Sequence, residues 1–406
     1  MHVIFVAPEF PHYQREFVRG LKQAGALVTG IGERPLEWLD GELRGFMDYY
    51  EQVPSVCHEG VMLETVRKCQ RRGWVDRLES TIEAHILPVA KVREATGIPG
   101  LTPKAAWLCR DKPAMKEFLR QAGISCARST AADSAAEVRA FAAEVGYPLI
   151  LKPRAGAGAD GTTRVDNDKQ LEVALRQSGF ERGVSIAVEE FIEGHEGFYD
   201  TLTVRGEVVY EFVSHYYPNV LEAMRTRGVS PTIVHTNRSD LSGYDELRAM
   251  GRAVVSALGL GTTATHMEWF FGPKGLKFSE IGARPPGVGQ WDVYAMANDL
   301  DIYREWANAI VHGKVSRMPS RRYSAGIVAL RPERDGTIRG YEGLDAARQL
   351  LGQGLVDFHL PEPGSPARPI EGGYMANGWI RARHPDYDEL RTQLARVGQL
   401  VKVRAG

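Results

Sequence analysis

The segment LILKPRAGAGADGTTRV, residues 149–165, constrains the fold more than any other stretch of the chain. Gly156, Gly158 and Gly161 spell GxGxxG. A dinucleotide-binding turn, however, needs its last glycine to open a helix whose N-terminus holds the pyrophosphate. Here Gly161 runs into Thr162-Thr163-Arg164-Val165, which is β-branched and strand-like, and helical periodicity resumes only near Asp168. A GxxxxGK[ST] loop fails too, because Lys152 precedes the glycines. The pattern is strand, glycine turn, strand, a hairpin whose bare tip can close backbone N–H groups over phosphate, with Lys152 as a point charge beside it. An ordinary long loop in a sheet is the alternative on this segment alone.

The rest of the chain supplies context. Its 406 residues exceed one ordinary core, so two or three domains are expected. With a formal net charge of −1 and 25% charged residues, no bulk charge recruits nucleic acid or anionic membrane. Neither is expected as a partner, and any phosphate binding must be local. Cys57, Cys69, Cys109 and Cys126 form no CxxC or metal-ligand spacing, which favours reduced thiols. The first residues lack a basic region ahead of their short apolar run, and no stretch approaches a membrane span, so a cytoplasmic protein is expected.

Strand, helix, strand over residues 2–7, 13–24 and 26–31 is a parallel βαβ beginning. Helical patterns follow at 61–72 and 79–96, where Pro88 is expected to kink or divide the second. GIPGLTP, residues 97–103, marks a boundary. Beyond it, Asp111 should cap a helix with Pro113 in its first turn, Asp133 or Ser134 another, and Gly123 and Gly146 should close them. Strands are expected at 148–152, 184–190, 198–204 and 207–213, and helices at 244–258 and 301–313. Short strands and a helix near 386–397 complete the last block.

HMEWFFGPKGLKFSEIGARPPG, residues 266–287, reads as two strands joined by Pro273-Lys274-Gly275 as a three-residue hairpin loop. Centring it on Lys274 sets Glu268 opposite Glu280 on one face. Charges at about 5 Å repel by roughly 3 kcal/mol at an effective dielectric of 20, so the pair calls for a shared proton or a cation. Oxygen ligands without His or Cys point to Mg²⁺ or Mn²⁺ held jointly with phosphates. A register slipped by one residue would instead put one glutamate in solvent. Arg284 could brace a phosphoryl group or a carboxylate. In AVEEFIEGHEGFYDTLTV, residues 187–204, extended backbone at Glu189, Glu190, Phe191 and Ile192 could meet a purine edge, and Glu196 could reach ribose hydroxyls. His195 is expected to be solvated.

In this order the pieces resemble the ATP-grasp superfamily, and within it the carboxylate–amine ligases. The resemblance implies an ATP-grasp α/β fold: a Rossmann-like α/β domain over 1–103, an ATP-grasp domain over 104–318 and a mixed α/β lid over 319–406. The middle domain would split into a glycine-loop part at about 110–188 and a metal part at about 189–318. It implies that Lys112, Lys152 and Gly156, Gly158 and Gly161 bind ATP phosphates, that Glu189 to Ile192 and Glu196 hold the nucleoside, and that Glu268 and Glu280 bind Mg²⁺. Lys152 and Arg284 would act in catalysis. Tyr216, Tyr217 and Arg331 are candidates for the substrate end, which related ligases cover with their last block. Gly282 departs from the family, which usually has Asn there. The expected reaction is ATP-dependent amide formation through an acyl phosphate, from small carboxylate and amine substrates, in a homodimer. A phosphotransferase or carboxylase acting on a hydroxyl or bicarbonate, or a non-catalytic nucleotide-binding protein, are the alternatives.

Overall fold

The computed structural model of the chain describes residues 1–154, 161–367, 374 and 377–406. Gly156 and Gly158 lie outside the described residues.

Strands β1 (His2–Val6), β2 (Leu27–Gly32), β3 (Tyr49–Gln52) and β4 (Arg77–Glu79) form a parallel sheet in the order β3-β2-β1-β4. A parallel sheet is covered on both faces, and its two central strands, β1 and β2, are accordingly buried along nearly their whole length. Val3 and Phe5 pack towards helices Gln14–Gln23 and Ile302–His312, while Ile4 and Val6 pack towards helices Glu59–Arg72 and Glu83–Thr96. The helix expected over 79–96 begins at Glu83, because Arg77–Glu79 is taken by the sheet as β4. Pro88 sits inside Glu83–Thr96 without dividing it. Proline removes the donor to the carbonyl of Ala84, and the Cys57 thiol lies 4.0 Å from that oxygen.

The second sheet is antiparallel, with β5 (Ser129–Ala132), β6 (Leu149–Pro153), β7 (Thr163–Val165) and β8 (Ile186–Glu190) in the order β5-β8-β6-β7. Pairing of β6 with β7 is the strand–turn–strand arrangement read from the flanks of the glycine segment. Gly161 has φ +66°, a conformation that favours glycine. Helix Lys112–Gln121 leads into this sheet. Its cap is Asp111, which accepts a hydrogen bond from the Ala114 amide at 3.0 Å and pairs with Arg154 at 2.7 Å. Ser134, rather than Asp133, caps Ala135–Val145.

The remaining strands are β9 (His195–Val204), β10 (Glu207–Tyr217), β11 (Thr232–His235), β12 (Thr263–Gly272), β13 (Gly275–Gly282) and β14 (Ser324–Leu330). They are followed by β15 (Gly336–Glu342), β16 (Leu355–His359), β17 (Pro366–Ala367), β18 (Gly378–His384) and β19 (Lys402–Ala405). Eight of them make one sheet, β13-β12-β9-β10-β11-β14-β18-β16, and β17-β15-β19 make a small one. The large sheet runs continuously across residue 318. Among the described residues no helix is long and apolar enough to cross a membrane. All four cysteines are free thiols.

Helices Gln14–Gln23 and Ile302–His312 tie the first sheet to the large one, and Gly20 sits where they touch. A Cβ on Gly20 would lie 2.6 Å from the backbone oxygen of Tyr303. Replacing Gly20 by alanine must separate the helices, and overpacking of this kind costs about 1–3 kcal/mol. Urea denaturation should show G20A less stable than the parent by that amount.

Candidate active site

A cavity of about 730 Å³ opens between the second sheet and the large sheet. Lys112, Lys152, Glu189 to Ile192, Glu196, Tyr216, Glu268, Glu280 and Arg284 all line it. The structure thus brings these sequence candidates together.

Strand geometry explains the convergence. Side chains two apart along a strand share a face. On β9, Glu196, Phe198 and Asp200 face the same way, and β12 sets Phe270, Glu268 and His266 directly beside them. Glu268 faces Glu280 on β13, as expected, though by a different route from the three-residue loop. The turn closes on Gly272 paired with Gly275, the latter at φ +73°, and the odd residue appears as a bulge between Glu268 and Trp269, which pairs with Phe278. That bulge restores the register of the two glutamates.

The charges are arranged around these carboxylates. Lys112 reaches Glu280 at 3.2 Å. Glu189, buried at 5% exposure, is held by Lys152 at 2.8 Å and by Lys116 at 2.7 Å. Burial alone would raise the Glu189 carboxyl, but the two ammonium groups outweigh it and hold it at about 2. Burial drives Lys116 down to about 8. Burial would lower Lys152 as well, but Glu189 and Glu280 outweigh it and raise it. Lys116, absent from the sequence reading, is one helical turn from Lys112 in KPAMK, and that like-charged i,i+4 pair is the signal that could have exposed it.

Glu196 behaves oppositely. Burial, and then the charge of Glu268, push it up to about 8, and its Oε2 accepts from the Val220 amide at 2.7 Å. The negative charge of Glu268, and to a lesser degree of Glu280, adds to burial in raising Glu196, a repulsion that a bound cation would relieve. Glu268 and Glu280 are an oxygen-only donor pair, which fits Mg²⁺ or Mn²⁺ shared with phosphates. Among the described residues there is no group of three His, Cys, Asp or Glu side chains that could hold a metal unaided.

His266 was also missed. Burial would lower it, yet Asp200, 2.7 Å from Nδ1, outweighs that and raises it to about 9. Tyr294 donates to the other oxygen of Asp200 at 2.5 Å. Arg284 is held by Glu83, whose Oε2 lies 2.8 Å from Nε. A Cβ on Gly282 would meet that same Oε2 at 3.1 Å, so the space beside the glycine is filled by a carboxylate from the first domain.

Four placements differ from expectation. Tyr217 points to the opposite face of β10 from Tyr216, as alternation requires, and its hydroxyl bonds Tyr387 at 2.7 Å. Arg331 is buried outside the cavity, where it hydrogen-bonds the carbonyls of Ala223 and, at 3.3 Å, Tyr374. His195 is not solvated, since its Nε2 lies 2.9 Å from His215 Nδ1 on the face away from the cavity. In the purine-edge stretch, the amides of Glu190 and Phe191 already donate to Arg128 and Pro148 carbonyls at 2.9 and 3.1 Å. Gly161 flanks the cavity-lining Thr162.

Residues 117–298 match the ATP-grasp domain family. That match covers somewhat less than half of the chain. The chain is 25% identical over 316 residues to an L-arginine-specific L-amino acid ligase of Bacillus subtilis, covering 75% of this chain and 74% of the relative. It is 24% identical over 292 residues to an uncharacterized protein of Sinorhizobium fredii, covering 71% of this chain but only 59% of that protein's length. Its fold superposes on the crystal structure of an L-amino acid ligase from Bacillus licheniformis with a TM-score of 0.77 at 18% identity, over 100% of this chain and 98% of that one.

The cavity carries its own stability test. The Glu189 carboxylate is stabilised relative to the unfolded chain, so its contribution is present above pH 4.5 and is lost as pH falls from 4.5 towards about 2. E189Q leaves Lys116 and Lys152 buried and unbalanced, and should cost about 3–5 kcal/mol at pH 7. The difference between parent and variant should shrink through that acid window in a pH series of chemical denaturation.

Proposed function

We propose that the protein is an ADP-forming carbon–nitrogen ligase that joins a small carboxylate to an amine at the expense of ATP. The observation that carries this reading is the Glu268–Glu280 pair sharing one cavity with Lys112, Lys152 and Arg284. Such a site is built to neutralise a transferring phosphoryl group. Its L-amino acid ligase relative in Bacillus subtilis supports a carboxylate–amine reaction in particular.

A substrate carboxylate oxygen attacks the γ-phosphorus, the bond from phosphorus to the bridging oxygen breaks, and ADP leaves. The amine nitrogen then attacks the acyl carbon, phosphate departs, and the ammonium proton goes to phosphate or water. Lys112 and Lys152 turn from Glu280 and Glu189 towards the phosphates as negative charge arrives. Arg284, its Nε fixed by Glu83, presents a guanidinium to the acyl phosphate. Bound Mg²⁺ would supply charge neutralisation across the phosphates. The glycine segment and residues around Tyr216 and Tyr374 would exclude water from the intermediate. No side chain serves as nucleophile. The same reading assigns the stretch Glu189 to Ile192 to the adenine and Glu196 to the ribose, and takes the active form as a homodimer.

Turnover with an ¹⁸O-labelled carboxylate should place label in the released phosphate, whereas label retained wholly in the product during turnover would exclude the acyl phosphate. In a coupled assay of ADP release, K152M and E280Q should each be slower than the parent by about 10²-fold or more.

A further inference from the structure

Gln290 begins the helix Gln290–Asn298 and lines the cavity while only 1% exposed. Its side-chain Nε2 and Oε1 are both buried, and neither has a hydrogen-bond partner among the described residues. Among the described residues it is the only side chain with a donor and an acceptor both left in this way. The surroundings give no reason for an amide. Trp291, Val293 and Tyr294 beside it on the helix are buried, and Phe198, Ile233 and Val288 line the same cavity. A methionine would fill the volume without an unpaired polar atom, so the amide is a cost in the empty protein. Its backbone is already committed, since the Gln290 amide N–H donates to Gly287 at 3.1 Å. Only the side chain is left to meet a ligand.

We infer that Gln290 is a specificity-determining residue that reads the substrate through both amide atoms. The ligand it fits carries a donor and an acceptor side by side, one for Oε1 and one for Nε2. Two sources share that chemistry, the ammonium and carboxylate of an α-amino acid and a primary carboxamide. A site whose buried polar groups are paired only by the right ligand rejects analogues lacking the partner strongly, which is how one glutamine can set specificity in an otherwise apolar wall. The inference rests on the ligase reading only in taking this cavity as the substrate site.

The test is a cycle of protein and ligand changes, read by calorimetric binding with saturating Mg²⁺ and a non-hydrolysable ATP analogue. The probes are apolar L-amino acids, asparagine and glutamine, aliphatic primary amides and the des-amino acid matching each amino acid. The parent should bind at least one probe, and Q290M should bind it at least tenfold more weakly. Deleting the donor from that probe should weaken the parent at least tenfold and Q290M less than twofold. Q290E, which keeps the acceptor, should remain sensitive to that deletion. Affinity for the ATP analogue should stay within twofold throughout, and the ligand-free melting temperature of Q290M should equal or exceed the parent's. Preference among the probes tells the amino acid from the carboxamide. Equal probe binding by Q290M and the parent, or no probe bound by the parent, would overturn the assignment. The ligase reading is judged separately, by ADP release, and can fail while the binding cycle succeeds.

Discussion

The buried carboxylate of Glu189 between Lys116 and Lys152 is the interaction on which the site depends. It fastens helix Lys112–Gln121 to the second sheet through a charge that can be left neither uncompensated nor in water. Once that helix is fixed, Lys112 at its first turn is aimed at Glu280, and the second sheet is aligned against β12 and β13. The join is reinforced along β13, where the Phe278 amide donates to Ser125 at 2.8 Å and Lys274 pairs with Glu190. A single buried triad therefore sets the distance between the two walls of the cavity.

In the ligand-free protein every lysine assigned to phosphate has a carboxylate beside it: Lys112 has Glu280, and Lys152 has Glu189. The pairing keeps the ammonium groups charged and positioned despite burial. Under the proposed ligase reading, nucleotide and metal would exchange partners within the cavity: phosphate would take the lysines, and Glu280 would be released towards the cation. Burial, and then the neighbouring charge of Glu268, raise the Glu196 carboxyl within the same wall.

What the sequence could reveal follows from how local each signal is. Alternation and turn chemistry fix which residues share a strand face, so Glu268 opposite Glu280 was legible even though the loop and the bulge were assigned to the wrong residues. Capping by Asp111 is equally local. Alternation keeps two adjacent tyrosines on one strand from both facing the cavity, so Tyr216 lines it and Tyr217 turns to Tyr387. Long-range partners carry no local mark. The carbonyls of Ala223 and Tyr374 that occupy Arg331 lie 108 and 43 residues away from it, and nothing near His266 announces Asp200 on the neighbouring strand. The pairing of β11 with β14, which lies beyond residue 318, is equally a long-range fact that no local pattern announces.

Gly282 and Glu83 lie 199 positions apart, yet they compete for one volume. A Cβ at 282 would press on Glu83 Oε2 at 3.1 Å, so the carboxylate that clamps Arg284 would have to give by a fraction of an ångström. The two positions therefore behave as one compound site, in which a polar group can be delivered from either end of the pair but not from both. Read column by column, position 282 records a missing asparagine. Read in space, it records a vacancy let to a distant tenant, so that the active site's composition is set partly by a helix outside the ATP-binding region.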